Sequence, residues 1–188
     1  MRIKPVFGLA VVGYMLCSCQ SDSYQINGFA RQLPEGDTIV LAQEEMPSQP
    51  LGYDIVSEGR FLITGTSDTP SLCRVYQKRD PSCVVNCFLE PGTITVELNP
   101  PPALSRVSGT RLNNTWQQMN DSIQLLGREL IRITAAKSSD RAAHLTRLNA
   151  VDSLHRKMSD CILNTARQNQ DNALGKYILQ NYKEPKFN

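Results

Sequence analysis

A change of hydrophobic period at Pro100-Pro101-Pro102 constrains this chain more than any other feature. Upstream, short apolar runs alternate with polar residues and are cut by turn residues. Downstream, apolar residues recur every three or four positions. Period two marks strands with one buried face, and a period near 3.6 marks helices. The prolines lack backbone donors and favour a stiff, extended connection. The chain therefore divides into a β part over residues 24–102 and a helical part over residues 103–188.

In the β part, residues 24–30 read as extended and Pro34-Glu35-Gly36-Asp37 as a turn. Residues 38–42 form an apolar, β-branched run. Residues 54–57 lead into Glu58-Gly59, the length of a two-residue hairpin loop, and residues 60–66 return with Phe61 and Ile63 on one face. A primed turn wants positive φ at both central positions, which suits Gly59 but not Glu58, so a longer loop is the alternative. Residues 72–77 and 83–89 flank a turn centred on Asp80. Pro91-Gly92 fits a type II turn, and residues 93–98 alternate cleanly. About seven short strands at this spacing predict an α+β chain, its β part an antiparallel sandwich or partly open barrel.

In the helical part, Leu112, Trp116, Met119, Ile123, Leu126, Leu130 and Ile133 form one stripe. Asn113 reads as the start cap, with Leu112 as the preceding hydrophobic staple. Lys137-Ser138-Ser139-Asp140 breaks the pattern. A second stripe follows from Leu145 through Leu148, Val151 and Met158, and a short third segment spans residues 173–180. The spacing fits either a coiled-coil dimer seam or a hairpin packed on the β part. Three heptads without regular flanking charge pairs favour the hairpin, with Trp116 as a core anchor.

The N-terminus carries an address. Arg2 and Lys4 precede an apolar run over residues 6–16, too short for a membrane span of about 20 residues. Leu16-Cys17-Ser18-Cys19 looks like a bacterial lipobox, which makes residues 1–18 a signal peptide, Cys19 the lipidated residue and residues 19–23 a tether. Loss of Arg2 and Lys4 leaves 18 basic against 18 acidic residues, a neutral balance that does not call for nucleic acid. Position +2 is Gln20 rather than the aspartate of enterobacterial inner-membrane retention. The expected location is the outer membrane, facing the periplasm.

Such a compartment is oxidising. Cys73 and Cys87 are equidistant from Asp80, so a symmetric hairpin places them face to face. At a non-hydrogen-bonded position they would come within disulfide reach. Cys73–Cys83 is the rival pairing, and free thiols packed as small hydrophobes are the other reading. No metal site is expected: Cys83 and Cys87 lack two further soft ligands nearby. Neither a cofactor nor a catalytic residue is expected either. The chain has no Gly-x-Ser-x-Gly, His-Glu-x-x-His, P-loop or Cys-x-x-Cys motif. His144 and His155 fall on one helix and read as structural, and Glu44-Glu45 reads as a solvated loop patch.

Four segments occur in a telling order: Tyr24-Gln25-Ile26-Asn27-Gly28, Gly59 to Gly65, Phe88 to Val96, and Val107 to Asn113. Together they resemble the domain of unknown function at the N-terminus of Bacteroidetes thioredoxin-like lipoproteins. Asn172-Ala173-Leu174-Gly175-Lys176-Tyr177-Ile178 resembles the end of the helical segment that follows it. The thioredoxin domain with Trp-Cys-x-x-Cys that normally comes next is not in this sequence, so the resemblance implies no oxidoreductase activity here. It does make a separate thioredoxin-fold protein a candidate partner. Thr38 and Ser153 lie in triplets resembling the O-glycosylation acceptor of that phylum. The expected function is a non-catalytic binding or interaction module anchored to the envelope by lipid. The alternative is an accessory or truncated partner of an envelope thiol-disulfide oxidoreductase.

Overall fold

The computed structural model describes residues 22–46, 48–135 and 141–182. Cys19, the signal peptide and the expected break at residues 137–140 lie outside these. Eight strands precede three helices: β1 (Ser23–Phe29), β2 (Thr38–Gln43), β3 (Pro50–Ile55), β4 (Arg60–Thr66), β5 (Ser71–Gln77), β6 (Val84–Leu89), β7 (Gly92–Glu97), β8 (Arg106–Ser108), then α1 (Arg111–Ala135), α2 (Arg141–Gln168) and α3 (Ala173–Asn181). The fold is α+β, with two four-stranded sheets ordered β4-β1-β7-β8 and β3-β2-β5-β6.

Two features depart from the expected antiparallel set of seven. β1 and β7 run parallel, so the first sheet is mixed. The eighth strand, β8, pairs antiparallel with β7 and lies beyond the proline triplet. The β layer thus runs past the expected divide at residue 102.

Alternation sends Ile26, Ile39, Leu41, Phe61, Ile63, Val75, Ile94 and Val96 into one core between the sheets. Two directly opposed pairs in β1 and β4 explain the glycines of the first two sequence segments. Phe61 faces Gly28 and Tyr24 faces Gly65. A Cβ on Gly28 would meet the Phe61 ring at 2.0 Å, and one on Gly65 would meet the Tyr24 hydroxyl at 2.5 Å. The tip of each ring occupies the space above the glycine opposite, an arrangement that admits no side chain there.

The β3–β4 connection is the two-residue turn, with Glu58 at φ 52° and Gly59 at φ 67°. Both positive values match a type I′ hairpin. Glu58 is held there from outside the turn: the Glu35 carboxylate accepts from the Glu58 N–H at 3.0 Å and the Gly59 N–H at 3.1 Å.

α1 packs on α2 within the same chain, and α2 on α3. Leu112, Met119, Ala166, Leu174 and Ile178 bury a second core against Phe88, and Trp116 touches both cores. The apolar stripe therefore serves an intramolecular hairpin.

Candidate functional site

The open side between β6 and β8 is filled by side chains of α1. Asn113 is fully buried. Its Oδ1 accepts from the Phe88 N–H and its Nδ2 donates to the Phe88 carbonyl, both at 2.8 Å. The carboxamide thus pairs with the edge of β6 as a neighbouring strand would. Further along, Gln117 accepts from the Val107 N–H at 2.9 Å, and Asn114 from the Gly109 N–H at 3.0 Å. This corrects the expected cap. The helix begins at Arg111, and it is Glu90 that accepts from the Leu112 N–H at 2.7 Å. A carboxylate at that end also suits the helix dipole.

Helix α3 closes the arrangement. Asn172 caps it, its Oδ1 accepting from the Leu174 and Gly175 amides. Gly175 lets the helix press against the end of α2, where a Cβ would come within 2.1 Å of the Asn169 carbonyl oxygen. The two helices can approach that closely only with glycine at this position. Tyr177 is thereby aimed at the sheet. Its ring meets Phe88 and Trp116 edge-on, with centroids 6.3 and 6.0 Å away.

Between α3 and the ends of β2 and β5 lies a cleft of about 470 Å³, with Glu44, Ser71, Leu72, Lys176, Tyr177 and Gln180 among its lining residues. Glu44 and Glu45 lie in the bend after β2, Glu45 exposed and Glu44 about 35 % exposed at its side chain. One of the Glu44 carboxylate oxygens is buried and makes no hydrogen bond. That oxygen is ion-paired with the Arg74 guanidinium, whose Nε stands 3.3 Å away. Burial raises the Tyr177 phenol above its ordinary value, and the Glu44 charge adds to this. The cleft sets Leu72 and Tyr177 among a larger number of polar side chains, a mixed lining whose polar groups can fix a ligand's orientation.

A second cleft of about 430 Å³ adjoins it, sharing Gln43 and Ser71 and continuing past Leu51 to Thr64 and Thr66 on β4. A third hollow, about 520 Å³, lies over β1, β3 and β4. There the Asp54 carboxylate is already committed to the Leu62 N–H at 2.6 Å.

The cysteines sit apart from these clefts. Cys73 and Cys87 are register partners, as a symmetric hairpin requires. Gln77 N–H donates to the Cys83 carbonyl, and counting along the ladder from that bond puts Cys73 and Cys87 at a hydrogen-bonded position rather than a non-hydrogen-bonded one. Cβ atoms there stand about 5.5 Å apart, against 3.5–4.5 Å in a disulfide. Both are free thiols, as are Cys83 and Cys161. Burial pushes Cys73 and Cys83 up to about 11, and Cys87 higher still.

Thr38 is half-buried in β2, between β3 and β5, and Ser153 is half-buried in α2. His144 lies on α2 with its Nδ1 3.0 Å from Arg147, and His155 is half-buried on the same helix. Among the described residues no group of three His, Cys, Asp or Glu is placed to hold a metal ion, and no helix is long and apolar enough to cross a membrane.

Residues 24–116 match the family model of a domain of unknown function, DUF4369. That segment, just under half of the chain, is similar to the family's domain. The match takes in β8 and the first turns of α1, including Asn113, so the similarity covers the strands together with the helical residues that complete their edge. The comparison with curated proteins gives no match. The sequence reading missed the cleft because its walls come from residues far apart in the chain. The apolar spacing of Leu174, Tyr177 and Ile178 was the available signal, and it identified a helix rather than a site.

Proposed function

We propose that the protein is a lipid-anchored, non-catalytic binding module of the cell envelope. In this reading Cys19 carries the lipid, the outer membrane holds the anchor, and the DUF4369 domain faces the periplasm. The cleft between the sheet and α3 is the binding site. The observation that carries the reading is the Glu44–Tyr177 wall, where a buried carboxylate oxygen, ion-paired with Arg74 but without a hydrogen bond, belongs to a residue that lines the cavity beside Tyr177. Buried polar groups are ordinarily satisfied, and one at a cavity wall is poised to meet a ligand donor.

The oxidoreductase-accessory reading is the weaker one. Thiol exchange needs an accessible thiolate, whereas Cys73, Cys83 and Cys87 are fully buried.

NMR titration of residues 20–188 with short peptides, oligosaccharides and amino-sugar peptides tests the site. Amide shifts clustered at Glu44, Ser71, Leu72 and Tyr177 support it, and shifts with none of these classes contradict it. Radiolabelled palmitate incorporated by the wild type but not by Cys19→Ala tests the anchor.

A further inference from the structure

We propose that the ligand is an extended polypeptide segment that adds as a strand to the free edge of β4, an inference that rests on the paired clefts being the binding site. β4 is the edge strand of its sheet, with β1 its one sheet neighbour and β3 of the other sheet packed alongside. The ladder fixes which of its groups face outward. Ala30 N–H donates to the Gly59 carbonyl and Ser67 N–H to the Asp22 carbonyl. Residues 59, 61, 63, 65 and 67 therefore bond to the β1 side, and residues 60, 62, 64 and 66 turn their N–H and C=O groups away.

The first two outward positions are taken. Arg60 exchanges both bonds with Ser57, and Leu62 donates to Asp54. Among the described residues Thr64 and Thr66 have no strand partner on that side, and both line the second cleft. Natural edge strands are usually blunted by charge, proline or a bulge. After Arg60 this strand reads Phe-Leu-Ile-Thr-Gly-Thr, with none of these. Strand addition is the recognition mode that such an edge supports, with main-chain bonds giving affinity and flanking pockets giving specificity.

The clefts on either side of Gln43 form the path for the segment. It would run from the β4 edge, past Ser71, to the Tyr177 wall. Charge says which segment fits. Arg74 pairs with Glu44, which leaves Glu45 and Asp68 against Lys176 along the path, so a basic segment is favoured over an acidic one.

The probe is acetyl-Lys-Thr-Val-Thr-Val-Thr-Lys-amide, titrated into residues 20–188 by NMR up to millimolar concentration. The expected result is slower hydrogen exchange at the Thr64 and Thr66 amides. Thr66→Pro removes an outward N–H without touching the β1 ladder, as edge prolines do, and should weaken binding about tenfold. The wild-type amide readout stands whether or not that variant folds. Absence of binding, or binding that leaves Thr64 and Thr66 unchanged, overturns the added strand. If oligosaccharides shift Tyr177 while the peptide does not, the binding module stands and the added strand falls. Silence from every class removes both.

Discussion

Asn113 and Phe88 are joined by two hydrogen bonds of 2.8 Å, side chain to main chain, across the boundary between helix and sheet. The amide also donates to Thr110 Oγ1 at 2.7 Å. A single buried carboxamide thus uses its acceptor and both donors, docking α1 and sealing the β6 edge together. Replacing it leaves the buried Phe88 N–H and C=O without partners. Asn113→Ala should destabilise the protein by about 3 kcal/mol, read as a lowered urea midpoint. Asn113→Asp should do no better, because a carboxylate cannot donate to the Phe88 carbonyl.

The opposed Phe61–Gly28 pair leaves no volume for a methyl group. Gly28→Ala should cost about 2–3 kcal/mol through displacement of the ring. Thermal unfolding of Gly28→Ala beside Gly36→Ala separates this from backbone effects. Gly36 is an open turn position whose Cβ would meet nothing within 4 Å, although its φ of +79° adds a smaller strain.

The Glu58 backbone is the one non-glycine residue with positive φ among those described. Asparagine tolerates that region better than glutamate. Glu58→Asn should stabilise by about 0.5–1 kcal/mol. Glu35→Ala, which removes the acceptor for two turn amides, should destabilise by about 1–2 kcal/mol. Chemical denaturation of both variants checks the pair, and the opposite signs are the point of the test.

Raised thiol pKa values link stability to pH. Cys73 and Cys83 go from an ordinary 9.0 to about 11 on folding. Between these values the unfolded chain has released protons that the folded chain keeps, so stability is intact below about pH 9 and falls as pH rises toward 11. Cys73→Ser should flatten that decline. In the native state at pH 8, a thiol reagent should label the half-buried Cys161 first and leave Cys73, Cys83 and Cys87 unlabelled until unfolding. A disulfide between Cys73 and Cys87 would instead leave both unlabelled after unfolding without reductant.

Much of the fold was legible because it rests on local pattern. The Cys73–Cys87 register followed from symmetry about Asp80, and the helical stripe from its spacing. Features that depend on contacts distant in sequence were not. The parallel β1–β7 pair has no local signature, and β8 is three residues long. Asn113 followed the local rule for a cap, yet the group it satisfies is Phe88, 25 residues away. Nothing near Glu44 in sequence predicts that Tyr177 and Lys176 line the same cleft.

The central claim is that sheet and helices form one body, so that the cleft between them is preformed. Native-state hydrogen exchange of the Phe88 amide tests this most directly, since its acceptor is the Asn113 side chain on α1. The account predicts exchange only through global unfolding, with the same free energy as the Val75 amide in the core. Faster exchange at Phe88, through an opening that detaches α1 while Val75 stays protected, would contradict it.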